Sequence, residues 1–473
     1  MSDFLEKEAL DQSAALEAGE ISVEELMKLT LDRIEAVNGD VNAVVALRDR
    51  DELLAEARAA DAAPRKGWMH GLPIAVKDLA NVKGLPTTLG VPALANAIAE
   101  EDEIMVARMR AAGAIFIGKT NVPQLGLGSH SFNELYGTTR NPYDLSVSAG
   151  GSSGGAAAAL AARMVSIADG SDMMGSLRNP AAWNNVYGLR PSWARVPSEP
   201  KGEMFLHQLA TLGPMARSPR DVAALLDVQS GPDKRQPHGC SYDAVSPLIG
   251  APVNGMRVGW LRDWGGAYPM EEDLLDTSEA ALNIFDDLGI EVELVDPPFD
   301  AALIWDSWIK LRSWAVSGSA DVLYASPAMR DELKPESIWE IERGLSLSAK
   351  DVHQASLIRS QWFTRVNELF ATYDALLLPT TQVWPFAQEK RFPEEVAGRK
   401  MDTYHRWMEV VIPVSLLGLP CLSVPAGFGP NGLPAGLQVF GPRGSDSKML
   451  QIGQAWHEAT DFAARRPSIL HDA

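Results

Sequence analysis

Cysteine is scarce in this chain: Cys240 and Cys421 are the only two in 473 residues. Two thiols so far apart build neither a disulfide framework nor a metal-ligand pair, and they agree with a reducing compartment. Positive charge is also short, with 42 Lys and Arg against 62 Asp and Glu and a net charge of −20. Such a surface repels phosphate backbones and has no basic face for tRNA or DNA, so no nucleic-acid partner is expected. The opening MSDFLEKEALDQ has an early acidic residue and no apolar core, so no secretory signal is visible and the mature chain is expected to begin near Met1. One uncharged run, 410–429, is long enough for a membrane span. Pro413, Pro420 and Pro425 interrupt it, and it reads as the end of a helix and a buried strand. The expected setting is the cytoplasm, with no membrane partner.

What is present is an ordinary globular composition, 46% hydrophobic and 22% charged, enough for a sizeable core. Ser22 to Glu25 form a capping box, and Val23, Met27, Thr30, Ile34 and Val37 then recur at helical spacing. A second helix is predicted over 51–63, and a strand over 71–76 that presents Lys77. Residues 103–112 read as a helix stopped by Gly113, followed by a short strand over 114–117. Gly113 to Thr120 also matches the P-loop spacing, but the residues between the glycines are the strand itself, so nucleotide binding is not expected. Further on, helices are predicted over 218–228, 271–288, 300–314, 349–372 and 401–417. Strands are predicted over 256–261, 290–295, 375–379, 422–425 and 437–440. This alternation predicts an α/β fold, one large domain with a mixed β-sheet covered by helices on both faces. Within 1–473 it divides into N-terminal helices (1–65), a core (66–200) and a variable part (201–473).

The chemistry concentrates in 148–191. Ser152 and Ser153 lie between glycine pairs in GGSSGG (150–155), and a second serine, Ser176, follows a turn and precedes a predicted helix. Amides at such a place are free to face a developing negative charge. A serine nucleophile needs a base, and no histidine is near either segment in sequence. Lys77, buried at a strand end and so held neutral, is an alternative base. His130 and His405 are the candidates for a Ser-His-Asp arrangement, but a lone histidine is more often a surface or hydrogen-bonded side chain.

These segments resemble the amidase-signature serine hydrolases. The resemblance rests on GLPIAVKD with Lys77, GKTNVPQ (118–124), YGTTRNP (136–142), GGSSGG, GSDMMGSLRNPA (170–181), YGLRPS (187–192) and GLPAGLQVFGP (432–442), and on the 24-residue separation of Ser152 and Ser176. It implies a Ser-cisSer-Lys triad without metal or cofactor. Ser176 would be the nucleophile, Ser152 the bridging serine in a cis conformation and Lys77 the base. It also implies an acyl-enzyme, an oxyanion hole from the amides of Met173, Met174, Gly175 and Ser176, a supporting hydroxyl at Ser171, and an acyl-pocket wall at Gly126, Leu127 and Gly128. Asp172 and Arg178 beside the nucleophile read as a structural pair. Met173-Met174 departs from the family pattern, where a small residue and a glycine are usual, which leaves the pocket's shape open. Of the tryptophans on the late helices (Trp305, Trp308, Trp314, Trp362 and Trp407), some are expected to reach the pocket.

The reading is therefore an amidase acting on a small-molecule amide, with a homodimer as the expected assembly. Two alternatives accompany it: the glutaminase subunit of a tRNA-dependent amidotransferase, and a catalytically silent binding or scaffold protein on the same fold. Intact Lys77, Ser152 and Ser176 weigh against the second, and the chain's acidity weighs against the first.

Overall fold

In the computed structural model, which describes residues 3–470, the alternation of helix and strand resolves into two main sheets. Met1, where the chain is expected to begin, lies outside the described residues. In chain order the strands of these two sheets are β1 (Val44–Val45), β2 (Pro73–Lys77), β3 (Ile115–Thr120), β4 (Ile167–Asp172), β5 (Tyr187–Arg190), β6 (Thr211–Ala216), β7 (Arg257–Trp260), β8 (Glu291–Leu294), β9 (Ala375–Pro379), β10 (Cys421–Phe428) and β11 (Pro434–Phe440). Eight of them form one mixed sheet in the order β8-β7-β9-β11-β10-β5-β6-β4. β7 runs parallel to both β8 and β9, and the remaining pairs are antiparallel. The smaller sheet has the order β1-β3-β2, with β2 parallel to β3, and β2 packs beside β4.

The central strands are buried and largely apolar because helices cover both faces. β9, ALLLP, and β11, PAGLQVF, are buried at every residue. The helix Gly154–Ala161 is buried along its whole length against β1 to β4, which its alanines and glycines allow. Gly155 is needed there, because a β-carbon would come within 2.3 Å of the Asn121 amide nitrogen. This close approach seats the GGSSGG loop, at the start of that helix, directly over the end of β2.

Most predicted elements are present within a residue or two. The capping box of Ser22 and Glu25 starts the helix Val23–Val41, and Ile115–Thr120 is indeed strand where the P-loop spacing occurs. Two predicted helices are interrupted, and some elements were not foreseen. The single helix expected over 401–417 is instead a 3-10 segment, Arg406–Val411, and a short helix, Ile412–Ser415. Pro413, lacking an N–H, starts that short helix and cannot continue the preceding segment. The helix expected over 271–288 breaks into Leu274–Ala281 and Asn283–Asp287. β6 and the helix Pro335–Leu345 have no counterpart in the sequence reading. Gly213 and Pro214 argue locally against a strand, yet β6 pairs with β4 over six residues. The uncharged run 410–429 holds the short helix and β10, and no helix of the described residues is long and apolar enough to cross a membrane.

Candidate active site

β2 ends at Lys77, whose side chain is buried under the GGSSGG loop. Its Nζ lies 2.8 Å from Ser152 Oγ, 2.8 Å from Ser153 Oγ and 3.0 Å from Ser171 Oγ. Burial lowers the Lys77 amine to about 7, against the opposing pull of Asp169 and Asp172. Near neutral pH the amine is thus poised between donating and accepting a proton. Asp169, on β4, accepts the main-chain N–H of Lys77 at 3.1 Å. Burial pushes the Asp169 carboxyl up to about 6 although the Lys77 amide and the charges of Lys119 and Lys77 favour its ionised form.

The loop above Lys77 is pinned by hydroxyls. The Gly151–Ser152 peptide is cis, and Ser129 Oγ donates to Gly151 O at 2.7 Å while accepting the Gly151 N–H at 3.2 Å. Ser131 Oγ accepts the Gly154 N–H at 3.1 Å. Ser153 N–H donates to Ser176 O at 3.3 Å, which ties the two serine-bearing segments together.

The turn carrying Ser176 is built on Asp172. Its carboxylate accepts the N–H groups of Gly175 at 2.9 Å and Leu177 at 3.2 Å, and it takes Arg178 Nε at 3.0 Å and Arg190 Nη1 at 3.1 Å, all buried. Burial opposes its charge, but Arg178 and Arg190 hold its carboxyl well below the usual carboxylate range. The structural pairing of Asp172 with Arg178 is thus present, with Arg190 as a third member. Within this turn Gly175 takes a positive φ of 81°, and a β-carbon there would meet Asn179 Oδ1 at 2.7 Å. Met173 and Met174 have no positive φ, so the turn accommodates their side chains without backbone change.

The amides expected to face an oxyanion differ in whether the turn already gives them an acceptor. The Gly175 amide is already directed at Asp172 Oδ1. Among the described residues no acceptor takes the amides of Met173, Met174 or Ser176.

Ser152, Ser171, Ser176, Met173 and Met174 line one cavity of about 270 Å³, and Gly126, Leu127 and Gly128 form part of the same wall, with a β-carbon on Gly126 coming within 3.6 Å of Ser152 Oγ. Lys77 lies behind the serines. The wall is anchored by the late part of the chain: Lys334 Nζ donates to Leu127 O at 2.5 Å and Gln124 Nε2 to Glu332 O at 2.8 Å. Apart from the serines and Arg312 the lining is largely aliphatic or thioether, including Leu79, Leu125, Val316 and Met408.

Several expectations are placed elsewhere. None of Trp305, Trp308, Trp314, Trp362 and Trp407 lines this cavity; the last two are fully buried in a neighbouring core, where Trp407 stacks on Trp183 at 5.8 Å. Aromatic bulk on those helices fills the space between helix layer and sheet instead. His130 bonds Ser148 Oγ at 2.6 Å and Gln388 O at 2.9 Å, and burial lowers it to about 4, so it is neutral and structural. His405 is buried among Trp305, Trp339 and Tyr404. Neither histidine lines the serine cavity. The sequence alone assigns no role to Ser153, Asp169 or Arg312. Ser153 is visible in GGSSGG, whereas only the packing of β2 against β4 brings Asp169 to Lys77.

Comparisons with known proteins identify the family. The family model described as Amidase matches residues 25–450. The chain is 31% identical to an acylamidase of Rhodococcus erythropolis, with 97% of each chain covered. It is 33% identical to a glutamyl-tRNA(Gln) amidotransferase subunit of Ralstonia nicotianae, covering 96% of this chain and 98% of that one. Among solved structures, a bacterial aryl acylamidase of the amidase-signature enzymes superposes with a TM-score of 0.90 at 30% identity, covering 98% of this chain and 99% of that one. With a family-model match over residues 25–450 and likeness over nearly its whole length, the chain belongs to the amidase-signature family and is an enzyme that hydrolyses carboxylic amides.

Proposed function

We propose that Ser176 is the nucleophile, Ser152 the proton bridge and Lys77 the base. The observation that carries this assignment is the 2.8 Å contact of Lys77 Nζ with Ser152 Oγ at the floor of the cavity that Ser176 lines. Ser176 Oγ bonds to the amide carbon, and its proton passes through the Ser152 hydroxyl to the neutral amine of Lys77. The carbonyl oxygen becomes an oxyanion facing the amides of Met173, Met174 and Ser176, each such donor being worth about 3–4 kcal/mol in acyl transfer. As the C–N bond breaks, the proton returns from Lys77 through Ser152 to the departing nitrogen. Water then attacks the acyl ester by the same relay, releasing the acid and restoring Ser176. Ser153 and Ser171 hold the amine of Lys77 in position from the other sides.

The lining favours a small or medium amide with an apolar body. The Rhodococcus acylamidase and the solved aryl acylamidase point in the same direction for acyl-amide substrates. Likeness to the amidotransferase makes glutamine the substrate to test beside them. The compartment proposed is the cytoplasm, in keeping with two free cysteines, and the assembly proposed is a homodimer, to be read by light scattering. The catalytic assignment is tested by labelling with a fluorophosphonate and mapping the modified residue by mass spectrometry. Modification of Ser176, lost together with amide turnover in Ser176→Ala, supports it; modification of another residue with turnover intact in Ser176→Ala rejects it.

A further inference from the structure

The serine cavity contains one charged side chain that the relay does not use. Arg312, in the helix Ala301–Ser319, is only 4% exposed and lines the cavity with Val316 and Ala320 from the same segment. Its guanidinium is fixed on two sides. Nε donates to Glu340 Oε1 at 3.0 Å and Nη2 donates to Tyr404 OH at 2.8 Å, while Tyr404 OH in turn donates to Glu340. Ser313 Oγ adds a bond to Glu340 at 3.2 Å. Nη1 alone is left with a poor partner, the thioether of Met173 at 3.6 Å. A guanidinium carries five N–H donors in a rigid fork, and a sulfur is a weak acceptor for one of them. Met173 is partly exposed and belongs to the turn that holds Ser176, so a better acceptor in the cavity can displace its sulfur.

Charge defines the acceptor. Glu340 and Tyr404 outweigh the cost of burial and keep Arg312 protonated, but Glu340 also offsets its charge, so the buried cluster is neutral as a unit. An anionic group would enter an apolar cavity without a free countercharge, in a chain whose net charge is −20. A neutral acceptor gains the Nη1–H bonds at no such cost.

We propose that Arg312 is a specificity-determining residue, and that the enzyme prefers amides whose apolar body ends in a second, neutral hydrogen-bond acceptor such as a ketone, ester, ether or second amide carbonyl. This rests on the assignment of the serine cavity as the active site. Glu340 and Tyr404 act through Arg312 as positioning residues.

The test uses three amides of equal length and the same scissile bond, ending in a methyl ketone, in the isosteric alkyl group, or in a carboxylate. For the parent enzyme kcat/KM for the ketone should exceed that for the alkyl amide by about tenfold or more, which is the range for a hydrogen bond from a charged donor. The carboxylate should be the poorest of the three. In Arg312→Lys, which keeps a cation beside Glu340 but loses the fork, the ketone-to-alkyl ratio should fall toward one. The double variant Arg312→Met with Glu340→Gln should show the same collapse without a stranded carboxylate. Because each comparison is a ratio within one protein, a general loss of activity divides out. No ketone preference in the parent enzyme, a carboxylate preference, or a preference that survives in both variants would overturn the proposal. Ser176→Ala, measured on the alkyl amide, separates this from failure of the catalytic assignment: turnover that persists there rejects the assignment, not the role of Arg312.

Discussion

Replacing Lys77 with methionine should change both turnover and stability through the same physical cause. The amine is held near 7 against an ordinary 10.5, which corresponds to a penalty of about 5 kcal/mol on its protonated form in the folded chain. An unfolded lysine keeps its proton up to about 10.5. Between pH 7 and pH 10.5 the unfolded chain therefore binds more protons than the folded one, and the stability of the parent enzyme rises with pH as the penalty fades. Below pH 7 both states are protonated and the penalty is present in full. Lys77→Met lacks it at every pH. The hydrogen bonds it loses to Ser152, Ser153 and Ser171 are an offset that varies little with pH, so the change in the gap between the two proteins is the informative quantity. That gap should move by about 4 kcal/mol in favour of the parent between pH 6 and pH 10. At roughly 1–2 °C of Tm per kcal/mol for a chain of this length, melting curves should show a relative movement of about 4–8 °C. In parallel, kcat/KM of the parent should fall about tenfold per pH unit below an apparent pKa near 7, and Lys77→Met should retain almost no turnover. A Tm gap independent of pH, or a rate profile flat from pH 5 to pH 8, would refute the reasoning.

Other outcomes follow from neighbouring groups. Asp169→Asn removes a negative charge that favours protonated Lys77, so the acid limb of the kcat/KM profile should move to lower pH; an unmoved limb would show that Asp169 does not influence the proposed base. Asp172→Ala leaves Arg178 and Arg190 buried without their carboxylate and frees the amides of Gly175 and Leu177. It should cost about 3–5 kcal/mol, seen as a lowered Tm, and should reduce kcat more than it raises KM. Met174 both lines the cavity and packs in the core beside Trp183 and Met408. Met174→Ala should therefore cost about 2–5 kcal/mol and raise kcat/KM for broad acyl groups relative to acetyl; a selectivity profile unchanged across acyl widths would place its side chain in packing alone.

The site was legible because its backbone requirements leave a local trace. The glycines around Ser152 and Ser153 allow the close approach of loop, helix and β3, and Gly155 can be nothing larger beside Asn121. Lys77 stood out as a charge ending an apolar strand, and Ser176 as a serine at the entry to the helix Arg178–Trp183. The hydrogen bonds of the turn were only partly legible. Spacing marks which amides lie near Ser176, but not that the carboxylate of Asp172 claims the Gly175 amide. The tryptophans misled for a related reason, since a helical stripe of aromatics has the same pattern whether it faces a cavity or a packed layer.

Composition and apolar alternation by themselves determined the α/β class and most strand and helix positions, and the serine and lysine motifs marked the residues to examine, while amide hydrolysis followed from their resemblance to the amidase-signature family. Those properties are carried by short stretches whose hydrogen-bonding and burial preferences are local. Tertiary structure alone decided that β6 is a strand despite Gly213 and Pro214, because its pairing with β4 and β5 outweighs their local cost. It also decided that Asp169 lies against Lys77, 92 positions away, and that Arg312 reaches the serine cavity from a helix 136 positions after Ser176. Contacts between such distant segments depend on how layers pack, and side-chain periodicity within one segment holds no record of which other segment it will face.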